Sequence, residues 1–205
     1  LFEKRRELVL PTLHGLLLIV VATAGLLGTL CLFVLLPGLG LIYRLLMLAG
    51  FVLLCAIWVM TTLLSGMKRY KHIVIMFGVS YSLIVISALL LRPFGLEGLL
   101  AGFVIGNFVL LAGMWVLTVR EFSLREKLIS FEFADRKVLY PTLIAIGFLY
   151  NFGVWIDKFM FWYFPPTSDA IIGHLRASLI YDLPVFLSYL SIIPGMAVFL
   201  VRIET

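Results

Sequence analysis

Apolar stretches long enough to cross a bilayer recur along this 205-residue chain, parted by short breaks that are charged or rich in Pro and Gly. A hydrocarbon core of about 30 Å takes about 20 helical residues at 1.5 Å each, so the pattern obliges the chain to cross lipid repeatedly. Six spans are predicted: Thr12–Leu36, Leu41–Leu64, Ile73–Leu91, Leu99–Val119, Leu139–Phe164 and Leu183–Val201. No soluble domain of this length could bury a sequence that is 63% hydrophobic and only 13% charged. The fold class is therefore all-α, a polytopic membrane helix bundle.

Lys and Arg set the orientation. With Leu1 inside, the cytoplasmic segments hold Lys4, Arg5, Arg6, Lys68, Arg69, Lys71, Arg120, Arg125, Lys127, Arg136, Lys137 and Arg202, twelve of the 16 basic residues. Arg44, Arg92 and Arg176 lie outside, and Lys158 falls within a span. This asymmetry places both ends in the cytoplasm. The net charge of +5 follows from topology, and its dispersal over short loops excludes a nucleic-acid surface. Neither end reads as a natural terminus: the Glu3-Lys4-Arg5-Arg6-Glu7 run resembles an internal loop, and the chain stops as the sixth span leaves the membrane. An internal piece of a longer protein is expected, and no signal peptide is evident.

Cys31 and Cys55 fall inside apolar spans, where a thiol acts as a small hydrophobe. His14, His72 and His174 have no ligand spacing around them, so neither a metal nor a cofactor is expected.

Gly98, Gly102 and Gly106 recur every fourth residue on one face of the fourth span, which suits close helix packing; a sliding surface is the functional alternative. Asn107 beside them could hydrogen-bond across such a contact. The segment 120–138 mixes charges with Phe122, Leu128, Ile129, Phe131 and Phe133, an interfacial amphipathic composition. It reads as a linker between two bundles, with a surface-lying helix or a docking strip as alternatives.

The fifth span carries the unusual chemistry. Asn151, Trp155, Lys158 and Trp162 share one helix face, and Asp157 lies about 100° around from Lys158. Indoles stack on pyranose faces while an amide and charges bind hydroxyls, so Asn151, Trp155, Asp157, Lys158 and Trp162 are candidates for a substrate path. Depth offers a second reading: Asp157 and Lys158 lie about 26 Å along the helix, where Lys158 can snorkel and Trp162 can join an aromatic belt. The sixth span opens with Asp182 as an expected N-cap and is expected to kink at Pro194-Gly195, where Pro194 cannot donate to the Leu190 carbonyl.

These same residues carry a resemblance. Trp155-Ile156-Asp157-Lys158-Phe159, Leu175-Arg176-Ala177-Ser178, Ile180-Tyr181-Asp182-Leu183-Pro184 and the run from Tyr189 to Thr205 resemble the PelG family of Pel exopolysaccharide exporters. Leu1-Phe2-Glu3 and Pro11-Thr12-Leu13-His14-Gly15 agree as shorter, less specific strings. The resemblance implies a multidrug/oligosaccharidyl-lipid/polysaccharide exporter of the bacterial inner membrane, with two six-helix bundles around a cavity open to either side in turn. Residues 1–119 would then be the last four helices of the first bundle, 120–138 the cytoplasmic linker, and 139–205 the first two helices of the second. It further implies a polysaccharide substrate rich in N-acetylgalactosamine, destined for a biofilm. Its partners would be a cytoplasmic glycosyltransferase, a cyclic-di-GMP-binding membrane receptor and a membrane protein with helical repeats.

Enzymatic function is not expected, because the chain shows no nucleophile motif with a partner His, no HExxH and no intramembrane carboxylate pair. The alternative to transport is a scaffold that recruits the glycosyltransferase without moving polymer.

Overall fold

Lipid offers no partners to a polar backbone, so each apolar run folds as a helix that satisfies its own amides. The computed structural model describes residues 6–36, 38–122, 128–134, 140–172 and 175–203. It holds α1 (Val9–Leu35), α2 (Leu41–Gly66), α3 (Tyr70–Leu91), α4 (Gly95–Glu121), α5 (Pro141–Tyr163) and α6 (Leu179–Ile203), with a short strand pair β1 (Asp169–Ile172) and β2 (Leu175–Ala177). Among the described residues, five helical stretches are long and apolar enough to cross a membrane; the third, Tyr70–Glu121, comprises α3 and α4. The chain is a multi-pass membrane protein in which two compact units are distinguished, Leu1–Glu132 with Leu200–Thr205, and Phe133–Phe199.

In the first unit α4 packs between α2 and α3, and α2 also packs on α1. Leu13, Ile57, Met60, Leu64, Ile73, Leu110 and Met114 form the core. Successive helices run antiparallel: Phe122 is buried with Val9 and Leu10 against Leu63 and Met67 at one end. At the opposite end, a Cβ on Gly40 would lie 3.4 Å from Glu97. Arg69 and Arg120 accordingly share an end, where Arg69 pairs with Glu121 at 2.8 Å.

The turns follow from local chemistry. Between α2 and α3 the Arg69 N–H donates to the Leu64 carbonyl and the Lys68 N–H to Ser65, the Schellman pattern that closes a helix C-terminus. Its left-handed position, usually glycine, is held by Lys68 at φ 58°. Between α3 and α4, Pro93 starts a 3-10 turn and Gly95 supplies φ 69°.

α3 and α4 then close on the glycines of α4. A Cβ on Gly98 would fall 1.9 Å from the Leu91 carbonyl oxygen, one on Gly102 2.5 Å from the Ala88 nitrogen, and one on Gly106 2.1 Å from the Ile84 side chain. Buried Ser80 and Ser87 on α3 donate to the carbonyls of Gly106 at 2.6 Å and Gly102 at 3.0 Å. Backbones that approach this closely gain dispersion and interhelical hydrogen bonds, the forces available where lipid removes the hydrophobic effect. Asn107 is buried too, but its amide donates to Phe103 of its own helix at 2.9 Å and not across the seam.

Among the described residues after α4, Leu128–Phe131 is irregular and Glu132–Ala134 is a single 3-10 turn. The Ser130 N–H is satisfied by the Pro11 carbonyl of α1. Arg125, Lys127, Asp135, Arg136 and Lys137 lie outside the described residues.

Candidate functional site

The second unit is a helical hairpin in which α5 buries no residue. Pro141 starts α5 at a position that needs no amide hydrogen. After α5, Thr167 donates to the Phe161 carbonyl at 3.0 Å, and Arg176 fastens the strand pair through Ser168 at 2.9 Å. β1 and β2 are antiparallel, pairing Asp169 with Ala177 and Ala170 with Arg176. They add a small β element to an otherwise helical chain, in a segment whose strands are too short to show a period in sequence.

α6 begins at Leu179, four residues before the predicted span. Asp182 is therefore not the N-cap. It sits one turn inside the helix, and its carboxylate accepts the Ser178 N–H at 3.1 Å, securing an amide that the first turn leaves open.

Two carboxylates meet aromatic donors from the facing helix. The Tyr181 hydroxyl of α6 donates to Asp157 of α5. The Trp162 indole N–H of α5 donates to both oxygens of Asp182 at 3.1 and 3.0 Å. Phe161 stacks on Tyr181 with ring centroids 4.6 Å apart. The bridges run in opposite senses, acid on α5 to phenol on α6 and indole on α5 to acid on α6, and both carboxylates keep further lone pairs.

Lys158 goes elsewhere. Its ammonium sits 4.5 Å from the centroid of the Trp155 ring, a cation–π contact worth about 0.5–1 kcal/mol at an exposed site. Trp155, Phe159 and Trp162 continue as an aromatic strip, with centroids 6.5 and 6.1 Å apart. Asn151, lower on α5, donates to the Gly147 carbonyl at 2.8 Å, which uses one of its amide hydrogens on its own helix.

The structure thus groups Trp155, Asp157, Lys158 and Trp162 near the loop end of the hairpin, while Asn151 lies about 9 Å further down α5. Pro194 and Gly195 are not part of this group: α6 runs continuously through them, about 18 Å along the helix from Asp182. There Ser188 and Ser191 donate to the Pro184 and Ser188 carbonyls of their own helix, at 2.8 and 2.7 Å. The glycines Gly98, Gly102 and Gly106 belong to the other unit.

Sequence reasoning missed Tyr181, Phe159 and Phe161. A carboxylate in an apolar helix demands a donor, and Tyr181 is the first phenol of the next helix, so that demand was the available signal. The resulting surface can stack a ring and accept hydroxyl hydrogens, and among the described residues no group of His, Cys, Asp and Glu could hold a metal.

A family model described as "PelG: Putative exopolysaccharide Exporter (EPS-E)" matches residues 1–205. The chain belongs to the PelG family. No curated protein and no solved structure matches it. Within this PelG-family chain the aromatic and acidic strip of α5 and α6 is the part whose composition least suits plain lipid contact, since Leu would serve that purpose better.

Proposed function

We propose that this chain is part of an inner-membrane exporter that moves a Pel-type polysaccharide, rich in N-acetylgalactosamine, out of the bacterial cytoplasm. The family match over residues 1–205 carries this reading. Six spans with both ends cytoplasmic, grouped as pieces of two bundles, give the path a place beside α5. Trp155 and Trp162 stack on successive sugar rings, Asn151 and Lys158 bind hydroxyl or carbonyl groups, and Asp157 is held at the outer mouth by Tyr181. The cytoplasmic glycosyltransferase supplies the polymer, with the cyclic-di-GMP receptor and the helical-repeat protein assembled beside it.

Secreted polysaccharide per unit of membrane protein tests the path. Trp155→Ala removes a stacking surface worth about 1 kcal/mol, by analogy with aromatic pairs, and is expected to lower secretion at unchanged abundance. Normal secretion from Trp155→Ala and from Lys158→Gln would remove α5 from the path. Polymer found outside vesicles that lack this protein would favour the scaffold. Topology is tested separately with single cysteines, after Cys31 and Cys55 are substituted: one at Ser168 is expected to react in intact cells, and one at Lys71 only after permeabilisation.

A further inference from the structure

The chain that leaves α4 returns across the start of α1 and is fastened there. The Ser130 N–H donates to the Pro11 carbonyl at 2.9 Å. His14 holds the preceding residues: the Leu128 carbonyl 2.9 Å from Nδ1 can only accept, and the Trp115 indole N–H 3.4 Å from Nε2 can only donate. These contacts match a His14 ring that donates from Nδ1 and accepts at Nε2, so both ring nitrogens have partners. Gly15 lets the two backbones touch, because a Cβ there would fall 2.3 Å from the Ser130 carbonyl oxygen.

The pinned backbone leaves the Leu128 and Ile129 side chains open. Leu128 is 69% exposed and Ile129 47%. With His14, Leu17, Leu18 and Val21 they line an open apolar hollow of about 440 Å³. Leu18 and Val21 are themselves exposed, so the hollow is continuous with the outer apolar side of a membrane-crossing helix. The strap crosses α1 between Pro11 and Gly15, within about 9 Å of the helix start at Val9, and so near one end of the candidate membrane span Val9–Val34. Non-helical backbone survives at membrane depth only when protein satisfies its polar groups, and α1 does this for the Ser130 amide and the Leu128 carbonyl.

We propose that the Leu128–Phe131 strap is a re-entrant element of the bilayer, and that its hollow seats an acyl chain of a membrane phospholipid. Leu128 and Ile129 form the roof of the seat and Leu17, Leu18 and Val21 its wall. His14 acts as the latch that keeps the strap at this depth. The segment is thereby assigned to lipid and not to a cytosolic partner.

The test uses the full-length protein in nanodiscs of phosphatidylcholine, with or without bromine on the acyl chains near the headgroup. Leu128→Trp adds an indole at an exposed position, and its fluorescence is read as the difference from the unsubstituted protein. Loss of this added emission in brominated discs is the expected result. Unchanged emission would overturn the proposal, and aqueous iodide would then report whether water or a protein surface covers the strap. His14→Phe in the same background is expected to lower the bromine quenching while gel filtration stays unchanged; undiminished quenching would overturn the latch.

Discussion

Two helical hairpins of this molecule solve the same problem with opposite means. α3 and α4 join through small residues, with glycine backbones against a helix and buried serine hydroxyls on its carbonyls. α5 and α6 meet through long side chains, each carboxylate reaching an aromatic donor on the facing helix. The first seam leaves no space for another atom, whereas Gly147 and Gly153 of α5 face open space. Close-packed glycine uses up the space of the first seam, whereas the strip of indoles and acids stays partly exposed.

The largest expected effect breaks this comparison directly. Gly102→Leu drives a side chain into the Ala88 backbone and is expected to cost about 3 kcal/mol or more, the upper range of overpacking, seen as lost folded yield in detergent. Gly153→Leu, the same change in open space, is expected to alter thermal stability by less than about 0.5 kcal/mol. Equal losses would mean that α5 is as tightly covered as the α3–α4 seam.

A middle-sized effect concerns the acid–aromatic bridges. In a double-mutant cycle, Asp182→Asn with Trp162→Phe is expected to show a coupling of about 1 kcal/mol, measured by thermal unfolding. Asp157→Asn with Tyr181→Phe should show coupling of the same sign, weakened by solvent. Asp157→Asn with Lys158→Gln should be nearly additive, since Lys158 lies over Trp155; strong coupling there would restore a direct ion pair. A smaller effect has the opposite sign: Lys68→Gly relieves a left-handed position and is expected to stabilise by about 0.5–1 kcal/mol in the same measurement.

Much of the first hairpin was legible in the sequence, and little of the second. The spacing of Gly98, Gly102 and Gly106 is local, so one helix displays it complete. Asp157 and Tyr181 are separated by a loop with two short strands, and their meeting depends on where α6 begins. Placing that start at Leu183 left Asp182 at the boundary, when it lies inside the first turn and reaches back to Ser178. Asn107 shows the same limit: its place beside the seam was readable, but whether its amide turned outward or back to Phe103 depended on the space left by α3. Lys158 was read as a partner for another helix, yet an indole one turn away meets the ammonium without moving either backbone.

The clash distances along α4 also have a mechanical meaning. For α3 to advance along α4 by one turn, about 5.4 Å, side chains would have to ride over glycines whose clearance is already used. Rotation is blocked as well, since it would pull Ser80 and Ser87 from the carbonyls they serve. The two helices are thus geared together without backlash and travel as a single beam. Any movement within this unit must be taken up at a joint other than this one.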